Sequence, residues 1–358
     1  MLFNKSIIGL DIGSTAVKLV ELMGNQKKTL QAMGLEPLPQ GAVIDGTIKK
    51  QEDVVAAIKI LLKKLKILPI NRRVALGLSG SSILVKKINI SADKNLDLSE
   101  QVYAEAEQHF QTDMADIYFD FHTLPFEKPK EQENEKSVIL VGAKREMVEN
   151  MISTIREAGL RTAVVECSIF SALNMFEHNY GFGDGLSVII DVGASSSKIT
   201  LIVNGIFVDS REIPLGGEEY TRRIMDGLQV DHANAESLKI ASSQGEGNSP
   251  IDLSRIISDS NEMMVQEVRS TIDYFIQSGD PLSQKAQLSH MYLTGGGSRV
   301  LGLDATLAAT LEAPVKMINP FQKIIVNSKI FQMDYVLLQG PLYGISAGLA
   351  LRSWGDKQ

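Results

Sequence analysis

The sequence predicts an α/β fold built twice, with a separate α+β unit inserted into the first half. Three observations predict it. The stretch "IIGLDIGSTAVKLVEL" (7–22) runs an apolar strand into Asp-x-Gly, a small polar turn, a Lys and a second apolar strand, and "VIIDVGASSSKITLIVNG" (188–205) repeats that pattern. Self-similarity of this kind is the mark of a duplicated architecture. Apolar strands then alternate with helices of 3.6-residue periodicity in both halves, as layered α/β domains do. With 358 residues, the chain is also too long for one small core.

In order, the first hairpin leads to "TLQAMGLEPLP" as a strand and to "QEDVVAAIKILLKKLKI" (51–67) as an amphipathic helix. In that helix Val54, Val55, Ile58, Leu61, Leu62 and Leu65 recur at helical spacing, while Lys59, Lys63, Lys64 and Lys66 take the other, solvated side. A short strand, "RRVALGLSG", follows and ends at a glycine turn. From 81 the texture changes to strand "SILVKKINI", helix "LSEQVYAEAEQHF", strand "IYFDFHTLPF", strand "SVILVGA" and helix "REMVENMISTIREAG". That β-α-β-β-α order is the inserted α+β unit. Its charged loop at 127–136 carries Pro without apolar anchors and is expected to be mobile. "TAVVEC" and the helix "SIFSALNMFEHNY" close the first half, and the glycines of "GFGDG" (181–185) mark a boundary. After the second hairpin come "IPLGGEEYTRRIMDGL", "ANAESLKIASSQG", a helix over 258–277, the strand "HMYLTGGGSRV", a helix over 303–311, "PVKMINP" and "GPLYGISAGLALRSW".

Composition excludes several function classes. A formal charge of −7 without clustered Lys and Arg argues against a nucleic-acid surface. No apolar run reaches the roughly 18–20 residues of a transmembrane helix, and the N-terminal stretch, broken by Asp11, is not a signal peptide. The expectation is a cytoplasmic protein. Cys167 is the one cysteine, so no internal disulfide framework exists, and the five histidines form no metal-binding spacing.

The repeated hairpin carries the chemistry. A tight glycine turn lets backbone amides approach a phosphate as a nest, for which Gly13, Ser14 and Thr15 serve in the first copy and Gly193, Ala194, Ser195 and Ser196 in the second. Asp11 and Asp191, at the ends of buried-looking strands, are costly unless compensated, and a hydrated Mg2+ would compensate both. Lys18 can reach a β- or γ-phosphate, and Lys198 has the corresponding place. A single such hairpin would be an ordinary Asp-Gly turn; two copies opening two halves argue otherwise. "MYLTGGGSRVLGLDATL" is not a dinucleotide-binding loop, because the G-x-G-x-x-G spacing fails at Val300, and no P-loop motif occurs. Its glycines suit close passage beside a base or ribose.

These residues resemble the actin-like ATPase superfamily, in which "LDIGSTAVKLVE" and "IDVGASSSKITL" look like the two phosphate motifs and "LTGGGSRVLGL" like the adenosine motif. "VVECSIFSALNMF" and "YGISAGLAL" stand in the places of its two connecting helices. Within it, "IPLGGEEYTRRI" and "AESLKIASSQG" resemble the FtsA and PilM branch, as does the position of the insertion, whereas the rod-forming MreB branch places none there. FtsA proteins continue into a linker and a membrane-binding helix, while this sequence ends four residues past Trp354, which favours the PilM family. The resemblance implies an actin-like fold around a nucleotide cleft: subdomain 1A over 1–80 and 161–184, an FtsA-like 1C over 81–160, 2A over 185–217 and 289–358, and 2B over 218–288.

It also implies site residues. Asp11 and Asp191 would hold Mg2+ through water, with Gly13, Ser14, Thr15 and Lys18, and Gly193 to Ser196 in the other copy, on the phosphates of ATP. Glu236 and Lys239 would contact ribose and adenine, Gly295, Gly296, Gly297 and Ser298 would line the adenosine, and Gly217 would be a further nucleotide-binding residue. Glu166 occupies the place of the residue that orients the attacking water, or is a strand-end Glu capping the following helix; hydrolysis is accordingly expected to be weak or absent. The PilM family implies capture of the N-terminal cytoplasmic peptide of PilN at the inner membrane, with the pilus motor ATPase and the platform protein as further partners. An FtsA-type filament-forming ATPase is the alternative, and a sugar or acetate kinase is a third class whose substrate-side Asp is not found.

Overall fold

The computed structural model describes residues 6–93, 96–110, 112–124, 135–244 and 251–353. These divide into two compact units. One comprises Met1–Leu22, Gln31–Ser171 and Leu349–Gln358, and the other Met23–Leu30 and Ala172–Gly348.

The first unit is organised by a five-stranded sheet in the order β10-β6-β1-β2-β3, from β1 (Ile8–Ile12), β2 (Ala16–Met23), β3 (Thr29–Pro37), β6 (Arg73–Leu78) and β10 (Arg161–Cys167). β1 and β2 are the expected hairpin, antiparallel with Asp11 opposite Lys18, and β6 and β10 add parallel strands. A small pair, β4 (Val43–Ile44) and β5 (Thr47–Ile48), precedes α1 (Gln51–Lys64). α1 buries Val54, Val55, Ile58, Leu61 and Leu62, the face its periodicity predicts, and the chain leaves it through Lys66 at φ 56°.

The inserted elements form a three-stranded sheet in the order β7-β9-β8, from β7 (Ile83–Ser91), β8 (Ile117–Thr123) and β9 (Glu135–Lys144). α2 (Leu98–Glu107) packs Val102 and Ala106 on Ile88, Ile90, Val138 and Leu140 in a core of its own, and Asp97 caps it by accepting the Ser99 amide. α3 (Arg145–Glu157) has other partners: Met147, Val148, Met151 and Ile155 join the core of Ile58, Leu61 and Leu76. Most of the loop expected to be mobile, 127–134, lies outside the described residues, while Glu135 and Lys136 already belong to β9.

α4 (Ser168–Tyr180) follows, and the division between units falls inside it rather than at the glycines of 181–185. The second unit repeats the sheet in the order β13-β12-β11-β14-β15: β11 (Leu186–Val192), β12 (Ser197–Val203), β13 (Ile206–Ile213), β14 (Leu288–Thr294) and β15 (Val315–Met317). Asp191 stands opposite Lys198, the register of the first hairpin. α5 (Gly217–Leu228), α6 (His232–Ser243) and α7 (Ile251–Gln277) pack around Tyr220, Ile224, Ala235, Leu253 and Ile257. α7 begins well before residue 258 because Leu253 and Ile257 are buried in that cluster, a gain that helix periodicity within 258–277 does not display. α8 (Leu303–Leu311) matches its expected span, and α9 (Met333–Gln339) and α10 (Gly344–Leu351) complete the chain.

Candidate nucleotide site

In the first hairpin the antiparallel register fixes the chemistry. Because Asp11 and Lys18 face each other across β1 and β2, the Lys18 ammonium donates to Asp11 Oδ2 at 3.0 Å, and the Asp11 side chain is only 10% exposed. A buried carboxylate with a charged donor is tolerated where a lone one would not be. The Gly13 amide donates to Ala16 O at 3.0 Å and closes the turn, and Leu38 N–H holds its tip by donating to Thr15 O at 2.8 Å. Ser14 lies between Gly13 and Thr15 at that tip.

The second hairpin closes the same way, Gly193 N–H donating to Ser196 O at 3.0 Å. Its surroundings differ. Lys198 lies 4.0 Å from Glu212, its register partner on β13, and Glu212 also accepts the Ser196 hydroxyl at 2.5 Å. The carbonyls of Gly193 and Ala194 accept the amides of Gly217 and Glu218 at 2.9 and 2.8 Å, so the turn sits on the first residues of α5. Ser195 is exposed at the turn.

The three-glycine stretch passes directly over this turn. Gly295 adopts φ +86°, and a Cβ there would lie 2.4 Å from Val192 O and 2.5 Å from Asp191 Oδ1. Only glycine fits such an approach. Gly295 N–H donates to Pro341 O at 2.8 Å, which also accepts the Thr294 hydroxyl. A Cβ on Gly297 would meet Val192 Cγ1 at 2.6 Å, whereas one on Gly296 would meet nothing within 4 Å. The Ser298 hydroxyl is turned inward, onto Gly295 O at 2.6 Å.

Glu236 and Lys239 complete the site from α6. The Lys239 ammonium donates to Gly217 O at 2.9 Å, Thr221 Oγ1 at 2.7 Å and Glu236 Oε2 at 2.6 Å, which spends its three protons on bracing the start of α5. Burial pushes the Glu236 carboxyl up, but hydrogen bonds from Lys239 and Thr221 and the charges of Lys239 and His232 together hold it below its ordinary value.

Sequence reasoning missed several members. Thr221 sits at the centre of the Lys239 network. Asn261 on α7 ties α5 to the chain after the glycines, accepting from the Tyr220 hydroxyl at 3.0 Å and donating to Leu301 O at 2.9 Å. Neither carries a local signal, since both act through partners far away in sequence. Glu166, at the end of β10, is 8% exposed and accepts from the Ser171 hydroxyl at 2.8 Å and from Arg352 Nη1 at 3.2 Å. Arg352 lies 186 positions downstream, beyond the reach of any motif. Among the described residues no three His, Cys, Asp or Glu side chains cluster as metal ligands, and no helix is long and apolar enough to cross a membrane.

The model of the family described as type IV pilus assembly protein PilM matches residues 9–354. The solved structure of a PilM-PilN type IV pilus biogenesis complex is similar, with a TM-score of 0.84, 26% identity, and coverage of 98% of this chain and 99% of that one. MreB5 of Spiroplasma citri bound to AMPPNP superimposes with a TM-score of 0.52 at 13% identity, over 96% and 94% of the two chains. The cell division protein FtsA of Bacillus subtilis (strain 168) is 23% identical over 262 residues, 66% of this chain, and the match spans 58% of that protein's length. The fold is that of the actin-like ATPases. The chain belongs to the PilM family of type IV pilus assembly proteins.

Proposed function

From this family membership we propose that the protein is an ATP-binding, actin-like scaffold of the type IV pilus inner-membrane assembly complex. It captures the N-terminal cytoplasmic peptide of PilN and links it to the pilus motor and platform protein. The observation that carries the reading is the near-complete likeness to the chain of the PilM-PilN complex, at a TM-score of 0.84. Residues 81–160 then form the 1C subdomain beside the peptide, with 1A over 1–80 and 161–184, 2A over 185–217 and 289–358, and 2B over 218–288. The protein is cytoplasmic and reaches the inner membrane through its partners.

The residues present suit a nucleotide. The space beside Gly296 is open, and the close passage of Gly295 and Gly297 over the second hairpin builds a floor of backbone with Lys239 beneath it. Gly217 and Glu236 flank that floor, and Gly193 to Ser196 give the turn that a phosphate would meet. In the other hairpin Gly13, Ser14, Thr15 and Lys18 have the same task. A divalent cation, Mg2+ here, would neutralise phosphate charge and take Asp11 and Asp191 through water, the mode in which Mg2+ uses few protein ligands. Glu166 is engaged by Ser171 and Arg352, which supports holding ATP over turning it over.

Two measurements test the reading. Titration with a synthetic PilN N-terminal peptide should give saturable binding, and its absence, with the protein shown to be folded, would sink the scaffold assignment. Mg-ATP at a hundredfold its dissociation constant should stabilise the fold by roughly 2.7 kcal/mol. ATP-dependent pelleting without peptide binding would favour an FtsA-type filament.

A further inference from the structure

Among the exposed large apolar side chains of the described residues, Leu68 and Ile70 are the most exposed, at 75% and 76%. They stand on either side of Pro69 in the loop between α1 and β6. That loop is firmly based. Ile67 is buried, and its amide donates to Leu62 O at 2.9 Å; Arg72 N–H donates to Pro69 O at 3.0 Å. Arg72 pairs with Glu21, and the Arg161 amide donates to Arg72 O at 3.0 Å, which brings the turn after α3 alongside. A Cβ on Gly159 in that turn would touch Pro69 at 3.4 Å.

The ends of the elements around the loop carry mostly cations, together with the acid Glu157 beside Arg156, which accepts from Gln51 Nε2 at 2.8 Å. Lys59 and Lys63 lie one helical turn apart on α1, Lys66 follows it, and Arg156 and Arg161 flank the neighbouring turn; all five are exposed. None of them makes an ion pair or side-chain hydrogen bond within the described residues, whereas Lys64 and Arg72 are held by Glu36 and Glu21. Helix C-termini favour cations, which accounts for Lys63 and Arg156. It does not account for two aliphatic side chains three-quarters exposed between them, in a chain of net charge −7.

We propose that this tip docks on an anionic lipid surface, with Leu68 and Ile70 entering the boundary between headgroups and acyl chains and Lys59, Lys63, Lys66, Arg156 and Arg161 among the lipid phosphates. Two aliphatic groups protruding beside a proline suit a fluid interface that yields around them, while a peptide ligand asks for a groove. The cations supply the preference for negative lipid, and each falls off within a Debye length. Contact of this strength is reversible and complements tethering through a membrane protein. The inference is independent of the nucleotide and peptide readings.

Flotation of the full chain with vesicles tests it. The protein should float with phosphatidylglycerol-rich vesicles and not with pure phosphatidylcholine, and added salt should reverse the association. Leu68→Asp with Ile70→Asp should abolish it, and Lys59→Gln with Lys63→Gln should lower partitioning about fivefold per charge removed, all with an unchanged thermal melt. Should the Asp pair lower the melt, Leu68→Ser with Ile70→Ser takes its place. Equal binding to both vesicle types, or full binding by the apolar variants, would overturn the proposal. So would binding to polyglutamate without binding to phosphatidylglycerol, since the tip would then read an acidic polypeptide.

Discussion

The two Asp-x-Gly hairpins share a sequence pattern, a register and a turn hydrogen bond, yet they sit in different company. In the first, Lys18 is held by Asp11 at 3.0 Å, and Leu38 N–H donates to Thr15 O at the tip of the turn. In the second, Lys198 has Glu212 of a third antiparallel strand beside it, the turn carbonyls are taken by α5, and Gly295 presses on Asp191. The five-stranded sheet around the hairpin is repeated, and what differs is the company of side chains, helix and glycines at the turn. The second turn is therefore packed against α5 and the glycine stretch, while in the first the lysine and the carboxylate are paired across the hairpin.

The largest effect should come from breaking that packing. Gly295→Ala forces a left-handed residue and a Cβ into Val192 O and Asp191 Oδ1, and it should cost roughly 3 kcal/mol or more in urea unfolding. Gly296→Ala, whose Cβ meets nothing, should change stability by about 0.5 kcal/mol or less. Comparable losses from the two would refute the close-passage account.

Next comes the matched pair in the turns. A Cβ at Gly193 would lie 2.7 Å from Ser196 O, whereas one at Gly13 would lie 3.3 Å from Ala16 O. Gly193→Ala should cost about 2 kcal/mol and Gly13→Ala about 1 kcal/mol or less, by the ordinary range for overpacking. Equal values would mean the second turn can relax despite α5.

A smaller effect separates the lysines. A double-mutant cycle on Lys18 and Asp11 should give a coupling of about 1–2 kcal/mol, while the same cycle on Lys198 and Glu212, 4.0 Å apart, should fall near 0.5 kcal/mol. Coupling of equal size would erase the distinction drawn between the hairpins.

The smallest is a pH effect at the second site. Because the folded-state pKa of Glu236 lies below the ordinary 4.5, the unfolded chain binds more protons as pH falls past that value. The stabilisation is complete above pH 4.5 and is lost as pH drops through the folded pKa. Glu236→Gln should thus narrow the gap to wild type as unfolding is followed from neutral to acid pH; a gap constant with pH would mean the Lys239 network does not favour the carboxylate.

Much of the fold was legible because its signals are local. The register of each hairpin follows from apolar alternation around Asp and Lys, α1 from its 3.6-residue stripe, and α8 from the run between Gly302 and Glu312. Less legible was the allegiance of α3, whose amphipathic face suits either neighbouring core and which packs with α1. The start of α7 depended on burial against α5, and the division of the chain inside α4 depended on which side chains pack together.

The sequence by itself determined that two strand-turn-strand Asp-x-Gly motifs and a glycine-rich turn exist, because each is written in consecutive residues whose backbone needs are local. Only the tertiary structure decided what those motifs touch. It set Thr221 and Asn261 behind the glycines, put Arg352 on Glu166, and left Leu68 and Ile70 exposed among cations. Hydrogen bonds and burial act between surfaces, and residues far apart in the chain become neighbours only once the core of their own unit has formed.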